Sequence, residues 1–247
     1  MKQILLLCAA KPEWASLKKF LDFKKQEGPL PFFHAKTKHI SITLVQIGIG
    51  IAQAKKSILS LLSIIPPPDE IIHFGVSGSL VPDLESGDVV IPSHVFFHTQ
   101  QSLECHLALR QKLKEATLEA QLKVIEGDLL TSPFVLKTEQ EKKEAHQKTK
   151  AFIVDMETHP VLQIFTTKNI PYAALRVIFD TLCVDLSNLD DAGMMDEMGN
   201  ISTTKTLGTL VKKPKMIFEL LPYRKLLSLC QIRLGLVLEK YLQKTSI

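Results

Sequence analysis

Three short islands of the chain gather the side chains able to do acid–base chemistry. They are Ala9-Ala10-Lys11-Pro12-Glu13-Trp14, then Gly75-Val76-Ser77-Gly78-Ser79, then Val154-Asp155-Met156-Glu157-Thr158-His159 running on to Leu175-Arg176-Val177-Ile178-Phe179-Asp180. Each puts a carboxylate or a glycine loop directly after a strand-like run, where open α/β sheets bind ligands. Glu157 falls at a strand-to-helix junction and Asp180 at the end of the next strand, so both carboxylates can point into one crevice. Two acids in one cleft suit sugar chemistry. Each residue also has a plainer explanation: Glu13 as a helix cap, Glu157 as a surface acid, Met156 and Phe134 as core packing.

The elements that must position these residues are legible as short apolar runs. Residues 3–8 form a continuous one, the pattern of a strand buried on both faces, and 41–47, 70–74, 88–91, 151–155 and 172–178 repeat it. Between them, Ile51 to Ile65 places Ala54, Ile58, Leu61, Leu62 and Ile65 on one helical face until Pro66, Pro67 and Pro68 stop it. Residues 103–122 read as an exposed helix, and 137–150 (KTEQEKKEAHQKTK) as a solvated surface segment. From 182 to 205 the periodicity lapses, which predicts a loop able to act as a lid. The tail, 206–247, is basic and leucine-rich; it reads as one or two helices interrupted by Pro214 and Pro222.

With 247 residues, 45% hydrophobic and 23% charged, the chain suits one α/β domain over 1–247. The start has no signal-peptide pattern and no run approaches the roughly 18 apolar residues of a membrane span. Four scattered cysteines without a CxxC pair and eight scattered histidines give no metal pattern. The net charge of +4 is too mild to indicate nucleic acid. A cytoplasmic location follows as the expectation.

Taken in order, AAKPEW, GIG at 48–50 with Ala54 after it, GVSGSL at 75–80 with Gly87-Asp88, VDMET at 154–158 and RVIFD at 176–180 resemble the nucleoside phosphorylase and nucleosidase superfamily. The resemblance is especially to the methylthioadenosine/S-adenosylhomocysteine nucleosidases, over about residues 3–181. The resemblance implies a three-layer α/β/α fold with a central mixed, partly barrel-like sheet. It also implies that Asp180 protonates the purine's N7, that Glu13 activates water, and that Glu157 holds ribose hydroxyls. Met156 would lie on the ribose face, Phe134 would stack on the base with the Val135 backbone at its edge, and Ser77, Gly78 and Arg176 would complete the substrate site. No metal or organic cofactor is implied, only water as co-substrate, or phosphate in a phosphorylase. Family resemblance further implies a homodimer or larger oligomer.

A phosphorylase needs backbone donors and fixed positive charge for its dianion, whereas this chain offers Glu13 after its first strand. Hydrolysis to release adenine is therefore the leading expectation, with phosphorolysis second because Lys11 and Arg176 keep a source of positive charge open. A catalytically silent nucleoside-binding protein is the reading from another class. A dinucleotide-binding fold is disfavoured, since GIGIAQA lacks a third glycine and a following acid at the expected offset. Phe179 stands where the nucleosidases carry a small serine. VDMETH, LRVIFD, Met198-Gly199-Asn200 and the KKPK tail resemble a hopanoid-associated branch acting on a lipid-linked adenosyl substrate. On that reading the tail could touch a membrane surface through Lys212, Lys213 and Lys215; packing on the sheet is the alternative.

Overall fold

The apolar run at the start of the chain becomes β1 (Lys2–Cys8), with Ile4 to Cys8 buried. The computed structural model describes residues 1–97, 102–186 and 216–246. Its further strands are β2 (Lys24–Gln26), β3 (Phe32–Lys36), β4 (Ile40–Gln46), β5 (Glu70–Ser79), β6 (Val89–Phe97), β7 (Leu103–Glu104), β8 (Val124–Thr131), β9 (Ile153–Asp155) and β10 (Tyr172–Asp180). The helices are α1 (Lys11–Trp14), α2 (Ile51–Leu62), α3 (Leu107–Glu119), α4 (Glu139–Thr149), α5 (Thr158–Thr166) and α6 (Met216–Thr245).

β1 shows why no alternation is visible in the sequence. Ile4, Leu6 and Cys8 pack with Trp14, Leu109, Leu113, Leu234 and Val237 on one side, while Leu5 and Leu7 pack with Ala54, Ile58, Leu61, Val161 and Phe165 on the other. A strand covered by helices on both faces must be apolar at every position. The α/β/α layering expected from the sequence is thus present.

All the strands belong to one mixed sheet. β5 pairs with β10, β10 with β6, β6 with β8, β8 with β9, and β9 returns to β5, closing a five-strand barrel. β1, β4, β3 and β2 extend the sheet from the outer edge of β5. The key register is along that edge: β1 pairs with β5 from Glu70 to His73, and β9 takes the edge over at Gly78. Between His73 and Gly78 the edge has no strand, which opens a gap at the end of β1.

Several expectations change. Gly75 to Ser79 is the second half of β5 rather than a loop after a strand; its small residues hid its strand character. β3 and β8 were not legible, since their patterns mix polar and apolar residues. α6 runs unbroken through Pro222, so that proline does not divide the tail. Cys230, Leu234, Val237, Leu238, Tyr241 and Leu242 on α6 are buried against the sheet, α1 and α3. The apolar face that a membrane-surface helix would need is therefore in the core. Ser16 Oγ donates to the Gln231 carbonyl at 2.7 Å, and Arg233 Nη1 to the Gly87 carbonyl at 2.6 Å, fixing the helix further. Residues 187–205 of the expected lid, and Lys212, Lys213, Pro214 and Lys215, lie outside the described residues. Among the described residues no helix is long and apolar enough to cross a membrane.

Candidate active site

At the gap in the β5 edge, the N–H of Val76 has no strand to pair with. Glu13, on α1 just past β1, supplies the acceptor: its Oε1 receives that N–H at 3.0 Å. Its Oε2 receives the Ala9 and Ala10 N–H groups at 2.8 and 2.9 Å. Glu13 therefore both caps α1 and bridges to β5. Burial pushes its pKa up, and the amides only partly offset this. A carboxylate so placed suits a general base working near neutral pH.

Glu157 sits between β9 and α5, as its junction position implied. Its Oε1 accepts the Gly50 N–H at 2.6 Å. Gly50 has φ +85°, a conformation that glycine adopts without strain, so the second glycine of GIG holds a carboxylate and not a phosphate. Burial, then the nearby Asp155 charge, raise the Glu157 pKa to about 8.

Asp180 ends β10 after a register irregularity: Ile178 faces Ser77 on β5, but Asp180, not Phe179, faces Gly78. Such a bulge re-aims a side chain. Gly75 and Gly78 make room for the acids. A Cβ on Gly75 would come within 2.5 Å of Glu13 Oε1, and one on Gly78 within 2.9 Å of Asp180 Oδ2.

Glu13, Glu157, Asp180, Met156, Phe134, Val135, Ser77 and Gly78 all line one cleft of about 350 Å³. Phe134 is 66% exposed at its mouth, so core packing does not explain that residue. The Ser77 hydroxyl is buried without a hydrogen-bond partner, which a polar ligand atom would correct.

Arg176 is the exception. Its Nε and Nη2 donate to Asp155 Oδ2 at 3.2 and 2.8 Å, Nη2 also to Thr158 Oγ1, and Nη1 to the carbonyls of His73 and Leu175 at 2.9 and 3.2 Å. A guanidinium has five N–H donors, and these partners occupy them. Arg176 does not line the cleft; it is a buried strut beneath it, correcting its expected contact with substrate. His159 stacks on Phe97, with centroids 5.4 Å apart, and is also outside the cleft lining.

The sequence reading missed Lys142. In α4, within the stretch expected to be solvated, its side chain is fully buried and its Nζ lies 2.7 Å from Asp180 Oδ2. The only hint was Ala145, one helical turn on, the sole apolar residue of that stretch and the one that packs against Leu80, Leu130 and Val154. Ile49, Leu186 and, from α6, Leu227 complete apolar parts of the wall. Among the described residues, none of those lining the cleft is Lys or Arg, and four are acids: Glu13, Asp155, Glu157 and Asp180.

A closed five-strand barrel, extended by β1, β4, β3 and β2, carries an acid-lined cleft at the ends of its strands. The phosphorylase superfamily model matches residues 3–206, so the chain belongs to that family. A 5′-methylthioadenosine/S-adenosylhomocysteine nucleosidase of Buchnera aphidicola from Schizaphis graminum is 29% identical over 173 residues, 63% of this chain and 73% of the relative. One from Staphylococcus epidermidis is 23% identical over 198 residues, covering 73% and 86%. Among solved structures, the Campylobacter jejuni nucleosidase of the same name matches with TM-score 0.74 and 16% identity over 99% of this chain and 100% of that one. A futalosine hydrolase mutant of Helicobacter pylori matches with TM-score 0.68 and 20% identity over 76% and 92%. The expected class, an enzyme cleaving an N-glycosidic bond, is borne out by the nucleosidase relatives.

Proposed function

We propose that the protein is a purine nucleosidase that hydrolyses an adenine nucleoside of the methylthioadenosine kind. The observation carrying this reading is the lining of the cleft: among the described residues carboxylates line it and no lysine or arginine does. The cations nearest the cleft among the described residues, Lys142 and Arg176, are already committed to Asp180 and Asp155, so a phosphate dianion would find no free cation there, whereas a water molecule beside Glu13 would meet a base.

In this reading Asp180 serves the purine's N7, so that the base leaves as a neutral species. Glu157 holds the ribose hydroxyls, an interaction that strengthens as positive charge develops on the sugar. Glu13 takes a proton from the attacking water. Phe134 closes over the base, Met156 lies against the ribose, and Ser77 donates its free hydroxyl to the substrate. The apolar wall from Leu186 and Leu227 suits a thioether better than a charged 5′ group. We carry the homodimer forward as part of the proposal; sedimentation of the purified chain tests it.

The experiment is chromatographic detection of free base from methylthioadenosine, adenosine, inosine and a lipid-linked adenosyl nucleoside, with Asp180→Asn as control. Adenine from methylthioadenosine, lost in the variant, is expected. Preference for the lipid-linked substrate would overturn the proposed 5′ group, and ligand binding without turnover would make the protein a binding module.

A further inference from the structure

We propose that Lys142 is a positioning residue for the reaction: it pins one oxygen of Asp180 and the chain just beyond it, so that the other oxygen alone is presented to the leaving base. The inference rests on the nucleosidase reading above.

An ammonium has three donors, and Lys142 Nζ finds three acceptors: Asp180 Oδ2 at 2.7 Å, the Thr181 carbonyl at 2.8 Å and the Val184 carbonyl at 3.2 Å. Removing such a charge from water costs several kcal/mol unless it is fully partnered. A helix needing only to pack would be better served there by leucine or methionine. The ammonium instead joins α4 to the end of β10 and to the segment that follows. Leu186, on the cleft wall, is drawn to the segment just before that helix, since its N–H donates to the Lys137 carbonyl at 2.9 Å.

α4 is itself held firmly. Thr138 Oγ1 accepts the Glu141 N–H at 3.2 Å while Glu141 Oε2 accepts the N–H groups of Thr138 and Lys137 at 3.0 and 2.7 Å. Ala145 packs into the small cluster of Leu80, Leu130, Ala151 and Val154. The lysine therefore projects from a fixed base. Among the described residues no other side chain donates to Asp180, so Oδ1 is left for substrate. Without its anchor the carboxylate can turn about its Cβ–Cγ bond, and a misplacement of about 1 Å is enough to cost roughly 10²-fold in rate.

The test is a double-mutant cycle on the full-length protein, combining Lys142→Met with Asp180→Asn, with Lys142→Arg as the charge-conserving variant. Base release from methylthioadenosine gives kcat and KM, adenine affinity by calorimetry gives a readout needing no turnover, and thermal melting checks folding. Lys142→Met is expected to lower kcat by about 10²-fold with KM little changed, and to weaken adenine binding. Lys142→Arg should recover part of both. In the Asp180→Asn background, Lys142→Met should weaken adenine binding no further, because residues acting through one another are not additive. Unchanged kcat, or an equal loss of adenine affinity in both backgrounds, would overturn the role. If Lys142→Met does not fold, Lys142→Arg and Lys142→Gln carry the same comparison. No base release by the parent overturns the nucleosidase reading instead.

Discussion

Glu13 Oε1 accepts the backbone N–H of Val76 at 3.0 Å, across the stretch of β5 that β1 has left and β9 has not yet reached. A side chain thus completes a β-ladder and, in doing so, carries a carboxylate to the sheet's switch point. Fold and chemistry share one residue here, and that can be separated by substitution. Glu13→Ala would orphan the N–H groups of Ala9, Ala10 and Val76, at about 1–3 kcal/mol for each buried donor. Glu13→Gln keeps one of the two acceptor oxygens, turns an NH2 toward the N–H groups the other had received, and offers no base. We expect the alanine variant to melt markedly lower, and the glutamine variant to fold with a kcat down by about 10²-fold or more. Equal melting points for the two would contradict the structural half of this role.

Asp180→Asn tests the proton donor. Loss of a positioned general acid costs typically about 10²–10⁴-fold, and the loss should fall on kcat while methylthioadenosine still binds. A variant retaining most of its kcat would remove Asp180 from the mechanism.

Glu157 makes stability depend on pH. Its folded pKa, about 8, lies above the ordinary carboxylate value. The unfolded chain therefore loses this proton first as pH rises, and stability falls between about pH 4.5 and pH 8. Glu157→Gln removes that loss. Its melting temperature should exceed the parent's at pH 9, by about 2–4 °C for each kcal/mol regained in a chain of this size, and the gain should vanish near pH 4. A constant difference at both pH values would contradict the assigned shift. Activity should fall in the variant throughout.

Gly75 and Gly78 are predicted to be intolerant of any side chain. Gly78→Ala would push on Asp180 and Gly75→Ala on Glu13, and overpacking typically costs about 1–3 kcal/mol. Activity should suffer more than stability, because the displaced groups are the two acids; steady-state kinetics beside melting curves decide it.

What the sequence revealed followed from physical regularity. Strands covered on both faces, such as β1 from Ile4 to Cys8, form continuous apolar runs and stand out, and α2 declares its buried face through Ala54, Ile58 and Leu61. The three acids were found because each follows a strand in a recognisable local motif. Lys142 was invisible for the opposite reason: among the charged residues of α4, nothing local distinguishes the one lysine whose partner lies 38 positions away. Arg176 was misread because a strand residue before an acid looks the same whether it points into the cleft or under it; only the Asp155 pairing tells them apart. Pro222 carried a strong local signal, and the long helix nevertheless forms, with its C-terminal half anchored in the core.

The most direct test of the central claim is the dependence of adenine release from methylthioadenosine on phosphate, measured from phosphate-free buffer up to about 10 mM, above the usual range of KM values. A cleft whose described lining holds four acids and no lysine or arginine predicts the same rate throughout, with the free sugar as the second product. A rate that is negligible without phosphate and rises to saturation, with sugar phosphate as product, would contradict it and make the enzyme a phosphorylase.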